Sequence, residues 1–189
     1  MSRIADPSAS TLLIPKPRDG ARVAAGSDRY LTFDLAGQTY ALSILDVTEI
    51  MGFRGLTVVP MMPSFIRGVI NLRGKVVPVV DMAARFGREI TTIARRTSIV
   101  LVETGPDGSG TRKTIGIIVD AVHKVVSLST DDVEPPPTFG AGIRSDFISG
   151  MARFNGEFII ILDVSHVLSR DELVVVNPAE LTEVTNDVP

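Results

Sequence analysis

The chain has 189 residues, enough to bury one substantial core or two small ones that share an interface. Its 44% hydrophobic and 22% charged residues are ordinary for a globular protein, and a net charge of −3 argues against a nucleic-acid partner, which demands clustered Lys and Arg. Without cysteine the chain has no disulfide, thiolate nucleophile or cysteine metal site, and no run approaches the roughly 18 apolar residues of a membrane span.

Residues 1–28 mix Ser, Ala, Pro, Gly and charge without periodicity, which predicts a disordered leader. Pro7, Pro15 and Pro17 interrupt any secretory pattern there, so a cytoplasmic location is expected. From Tyr30 the pattern changes. Tyr30–Leu35 reads as a strand, Ala36-Gly37-Gln38 as a turn and Thr39–Ile44 as the return strand. Val47–Phe53 is extended as well, and Pro60 and Pro63 lead into a longer hairpin over Ile66–Asp81. Within it Val76, Val77, Val79 and Val80 form a β-branched run that predicts a buried strand. Gly74 supplies positive φ, so the turn Asn71-Leu72-Arg73-Gly74 is expected to close with a glycine bulge and to leave Arg73 at its tip. Ala83–Gly87 suggests a short helix stopped by glycine.

The second half repeats this order. Ser98–Val102 and Thr114–Asp120 are strands joined by a long polar loop over Thr104–Lys113. The Glu134-Pro135-Pro136-Pro137 loop parallels Pro60–Pro63, and the hairpin returns over Ile148–Asp163. Ile66, Gly74 and Asp81 recur as Ile148, Gly156 and Asp163, each 82 residues on, and Asp46-Val47 recurs as Asp120-Ala121 at an offset of 74. One design is used twice. Two copies of about five short strands fit two small closed barrels, because closure removes vulnerable edges. Each copy is marginal alone, so a shared apolar seam is expected. The boundaries read as a first barrel over about 29–88 and a second over about 89–169, followed by an acidic tail over 170–189 with a weak helix start at Asn177-Pro178.

A search for chemistry finds none. His123 sits in an apolar strand pattern and His166 in a short helix, and neither has an Asp, Glu or second His at ligand spacing. The segment Gly105–Thr111 lacks the lysine and following helix of a phosphate loop, so it reads as a hairpin loop. Asp131-Asp132 reads as a solvated turn, Asp81 and Asp163 as caps of whatever follows each strand, and Glu49 as an outward position on an alternating strand. No nucleophile, base and orienting group converge, so no enzyme, cofactor or metal is expected. Function is left to the surface. The two hairpin tips differ, Asn71-Leu72-Arg73 against Arg153-Phe154-Asn155, as they would if each half faced a different partner. Arg73 offers a planar fork of donors to an acidic or carbonyl-rich surface, or else it is a solubilising residue. Phe139, between three prolines and Gly140-Ala141-Gly142, is either tucked onto a barrel or presented as an anchor.

The stretch Pro63-x-Phe65-Ile66-x-Gly68-Val69-x-Asn71-Leu72-Arg73-Gly74-x-Val76-x-Pro78-Val79-x-Asp81 resembles the signature of the CheW family, the coupling proteins of bacterial chemotaxis. Weaker similarity runs from about Tyr30 to Leu168. The resemblance implies an all-β fold with short helices, two interlocked SH3-like five-stranded β-barrels forming one CheW-like domain. It implies an adaptor joining the cytoplasmic tips of chemoreceptors (methyl-accepting chemotaxis proteins) to the regulatory domain of the histidine kinase CheA in receptor arrays, with no nucleic acid and no direct membrane insertion. Carried over by motif position, the receptor-facing set is Val47, Glu49, Gly68, Asn71 and Arg73, and Phe139 becomes a kinase-side contact. Glu134 and Thr138 depart from the charges that can flank Phe139 in the family. Two other readings stand beside it: the same adaptor in a pathway controlling pili or another output, and an unrelated barrel whose seam holds a small molecule.

Overall fold

The computed structural model describes residues 27–105, 112–136 and 144–168. The leader up to residue 26, residues 106–111 of the long loop, Phe139 and the tail from residue 169 lie outside that range. Among the described residues eleven strands follow in order: β1 (Ser27–Leu35), β2 (Gln38–Ser43), β3 (Val47–Gly52), β4 (Ile66–Leu72), β5 (Lys75–Asp81), β6 (Ser98–Glu103), β7 (Thr114–Val119), β8 (Ala121–Ser129), β9 (Val133–Glu134), β10 (Ile148–Phe154) and β11 (Glu157–Leu162). The helices are short, α1 (Met82–Arg85) after β5 and α2 (Val164–Val167) after β11. The first strand takes in the last two residues of the expected leader, Ser27 and Asp28.

The strands form a five-stranded sheet, β3-β6-β7-β5-β4, and a six-stranded sheet, β8-β1-β2-β11-β10-β9. This is the all-β architecture expected. Each sheet curls so that the chain itself joins its ends: one turn, Thr130–Asp132, separates β8 from β9, and beyond β3 Thr57 bridges to Val69 of β4. The pairing does not divide at residues 88 and 89. The β1–β2 hairpin belongs to the sheet of the second half, lying between β8 and β11, and β6–β7 joins the sheet of the first half between β3 and β5. The two halves have exchanged their opening hairpins, so one sheet is the continuous segment 47–119 and the other is 27–43 with 121–162. A strand-by-strand reading of the sequence assigns pairs by proximity, and long-range parallel pairs defeat it. Here these are β2 beside β11 (Tyr40 opposite Ile160) and β5 beside β7 (Val80 opposite Ile117).

Three apolar clusters result. Val77, Val79, Ile99, Leu101 and Ile118 fill the inside of the five-stranded sheet. Ala41, Val126, Leu128, Ala152, Ile159 and Ile161 fill the other. The largest lies between the sheets, where Phe33, Leu35, Tyr40, Leu42, Met82, Val102 and Ile117 meet Leu162, Val164 and Leu168. That cluster is the shared seam each half needs. The positions that change sheet are the matched Asp46 and Asp120, which lie between β2 and β3 and between β7 and β8.

The duplicated motif acts twice in the same way. Asp81 is fully buried and caps α1, its Oδ1 accepting from the backbone N–H of Ala83 (3.0 Å) and Ala84 (3.3 Å) while its Oδ2 accepts from Arg67 (2.8 Å) and the Thr91 N–H (2.8 Å). Asp163 caps α2 by accepting from the His166 N–H at 3.0 Å. Three hairpins turn on paired left-handed residues, Ala36-Gly37, Arg73-Gly74 and Asn155-Gly156. At Arg73 and Gly74 φ is +51° and +84°, and Leu72 faces Lys75, so the tip is a two-residue mirror-image turn without the expected bulge. The irregularity lies further down, where the register slips between Ile66 and Gly68 and again between Ile148 and Gly150. These glycines admit the closing segment of each sheet. A Cβ on Gly68, whose φ is +146°, would lie 2.3 Å from the Thr57 carbonyl oxygen, and one on Gly150 would lie 2.6 Å from Val133.

Two outcomes follow. Gly68→Ala must displace the Thr57 backbone and is expected to cost at least about 3 kcal/mol in urea unfolding. Gly74→Ala meets open space and carries only the left-handed penalty of about 1 kcal/mol. Equal losses would refute the close-approach role. Asp46 tests the crossing between sheets: burial first, then the Asp163 carboxylate, raise its pKa above the usual carboxylate value, with Arg112 opposing. The folded state therefore holds that proton more tightly than the unfolded chain, and the associated stability is lost as pH rises through the folded pKa. Asp46→Asn is expected to raise the thermal midpoint at pH 7, with the gain shrinking as pH falls through the folded pKa and absent below the unfolded value of about 4.

Candidate functional site

The sequence pointed to β3 and the β4–β5 hairpin, and the structure joins them through one ion pair. Arg73 reaches back from the tip so that its NH2 donates to Oε2 of Glu49 at 3.0 Å. The Glu49 side chain is only 8% exposed and that of Arg73 is 71% exposed. Glu49 is therefore not the outward residue that strand alternation suggested. It is a buried carboxylate whose charge is met by a surface guanidinium. The remaining donors of the Arg73 fork stay open to solvent. Arg73 holds φ of +51°, where the matched residue of the second hairpin is Asn155, a type that tolerates this conformation better.

The other candidates separate into supports and surface. Asn71 is exposed, and its Oδ1 accepts from the Gly74 N–H at 2.8 Å, which braces the turn carrying Arg73. Val47 is half-buried against the core between the sheets. Gly68 is buried beneath Thr57 and contributes closeness of backbone, not an accessible face. Glu49, Asn71 and Arg73 thus form one corner, with Val47 on the same strand as Glu49 and Gly68 on the same strand as Asn71.

Beside this corner an open groove of about 520 Å³ runs between the end of β3 and the outer edge of β4. Met51, Leu56, Val69, Ile70 and Ile99 give it an apolar floor, and Arg54 stands among its lining residues. Val76 is a second surprise. It is 47% exposed, although the run Val76–Val80 reads as buried. Its counterpart 82 residues on, Phe158, is 45% exposed. The same offset that revealed the duplication marks this matched pair, and comparing outward positions at that offset was the signal available.

Among the described residues no three His, Cys, Asp or Glu side chains gather as metal ligands. Both histidines do find an acid that local spacing hid or underrated: His123 Nε2 lies 2.7 Å from Asp34 Oδ2 across β8 and β1, and His166 Nδ1 lies 3.0 Å from Asp163 Oδ2. The first joins residues remote in sequence, and the second lies at the N-terminus of α2. Asp131 and Asp132 form the exposed turn before β9, with the Asp131 N–H donating to Ser129 at 3.4 Å. Between the sheets a hole of about 10 Å³, lined by Leu42, Met82, Val102 and Leu168, has room for no more than one water.

Known proteins resemble this chain in sequence and in fold. Residues 29–172 match the family model described as the CheW-like domain. The chain is 30% identical to the chemotaxis protein CheW of Klebsiella aerogenes over 148 residues, covering 78% of this chain and 86% of that protein. It is also 30% identical to protein FrzA of Myxococcus xanthus over 125 residues, covering 65% of this chain and 74% of that one. Among solved structures, the crystal structure of the scaffolding protein TtCheW from Thermoanaerobacter tengcongensis superposes with a TM-score of 0.67 at 34% identity, covering 75% of this chain and 92% of that one.

The corner yields a thermodynamic cycle. Arg73→Asn relieves the left-handed backbone but strands the Glu49 carboxylate, and Glu49→Gln removes that charge. The double variant is expected to be more stable than the two separate losses predict, by about 1 kcal/mol in urea unfolding. Additive losses would show that the pair contributes nothing to the fold.

Proposed function

The chain belongs to the family of CheW-like domains and serves as a chemotaxis coupling scaffold, and we propose that it does so by gripping two proteins on separate faces of one β frame. One is the cytoplasmic tip of a chemoreceptor. The other is the regulatory domain of the kinase CheA. The observation that carries the receptor face is the Glu49–Arg73 corner: a guanidinium held at a hairpin tip by a buried carboxylate is oriented before any partner arrives. Val47, Glu49, Gly68, Asn71 and Arg73 make up that face in this reading, with Arg73 and Asn71 offering contact and Glu49 and Gly68 holding them in place. Phe139, outside the described residues, is the proposed kinase-side anchor.

Coupling of this kind makes and breaks no bond. It needs only contacts that differ between receptor states by about 1–3 kcal/mol, relayed to the kinase through fixed geometry. Small separate interfaces suit an array in which many joints share the task. Among the described residues no helix is long and apolar enough to cross a membrane. The proposed location is the cytoplasm, at membrane receptor arrays reached through the receptors themselves. In the proposed division residues 29–169 act as one CheW-like domain.

Arg73→Glu is expected to abolish co-sedimentation with receptor-containing membranes, and the test is whether CheA binding in the same preparation is retained. Phe139→Ala should weaken CheA binding and leave receptor binding intact. Survival of receptor binding after the charge reversal would sink the receptor face, and equal loss of both partners in either variant would point to damage to the fold.

A further inference from the structure

The groove beside the corner has an open strand along one wall. Thr57 bonds both ways with Val69, its N–H donating to the Val69 carbonyl at 2.9 Å and its carbonyl accepting from the Val69 N–H at 2.8 Å. Two residues on, Asn71 presents its backbone in the same outward direction, away from β5, and no described segment covers it. An uncovered edge over an apolar floor is a template for one more strand. The rim is cationic. The Phe53 N–H donates to the Thr97 carbonyl at 3.1 Å, which continues the β3–β6 ladder and sets exposed Arg54 across from exposed Arg96, with Arg95 adjoining. None of these three arginines has an ion-pair partner among the described residues.

We propose that residues 171–176 of this chain's own tail, Asp171-Glu172-Leu173-Val174-Val175-Val176, add as a strand along β4 in this groove, with the two acids meeting the Arg54 and Arg96 rim. The run is β-branched and apolar, the composition a strand needs. Its acids precede it directly. The leader does not fit, because Arg3, Lys16, Arg18 and Arg22 outnumber Asp6 and Asp19. Leu168, the last described residue, lines the small hole with Val102 on the seam face of β6, and the tail that follows it rounds the sheet to reach Ile99 on the groove face of the same strand. A tail seated there lies beside Arg73 and competes with any partner that approaches the corner, so the scaffold carries its own competitor at high effective concentration.

The inference does not rest on the partner assignments, and its test uses the full chain alone. Hydrogen exchange at the Asn71 amide reads the edge directly. Val175→Pro removes a strand donor and is expected to speed that exchange roughly tenfold, with a small drop in the unfolding midpoint as the docked tail is lost. Asp171→Lys with Glu172→Lys should do the same, and adding Arg54→Glu and Arg96→Glu should restore protection. An Asn71 amide that exchanges at one rate in all these chains overturns the proposal. Protection that falls on dilution of the unaltered protein overturns it as well, by assigning the added strand to a second copy.

Discussion

The fold depends on strands that lie side by side although the chain separates them widely. Tyr40 and Ala41 of β2 run parallel to Ile160 and Ile161 of β11, and Val79 to Asp81 of β5 run parallel to Gly116 to Ile118 of β7. Each pairing seats a hairpin from one half of the duplicated chain in the sheet of the other. The apolar faces so created meet between the sheets, where Phe33, Leu35 and Tyr40 from the first exchanged hairpin are fully buried. Neither sheet is complete without this exchange, so loss of either hairpin exposes the seam that both halves share.

Aromatic and cationic side chains lock the seam. Ring centroids step 6.1 Å from Phe33 to Tyr40, 5.8 Å to Phe86 and 6.1 Å to Phe147, a path that crosses from one hairpin through α1 to the segment before β10. Arg85 lies over Phe65 at 5.0 Å and over Phe147 at 4.8 Å, and its Nε donates to the Val167 carbonyl at 3.0 Å. A guanidinium within reach of two rings is attracted by the π-system of each. An adaptor gains from such rigidity, because a difference of a kilocalorie or so at one face reaches the other only if the frame between them does not absorb it.

Much of this was legible before any coordinates. The turn glycines, the capping roles of Asp81 and Asp163 and the short helices after each second hairpin depend on a few neighbouring residues, and they stand where local pattern placed them. The offset of 82 residues carried over to three dimensions down to the bulge glycines Gly68 and Gly150. At the corner, exposure of Arg73 followed from its place at the tip. The burial of Glu49 did not, since alternation along β3 says which residues share a face but not which face Arg73 will reach across.

By itself, then, the amino-acid sequence determined the duplication, the strand character of the paired segments, and the turns and caps. These rest on interactions a few residues long. Tertiary structure alone decided which hairpin joins which sheet, that Val76 and Phe158 face outward, that His123 meets Asp34, and that Glu49 anchors Arg73. Each of those depends on how whole strands sit against one another in the finished sheets, and no preference a few residues long encodes that.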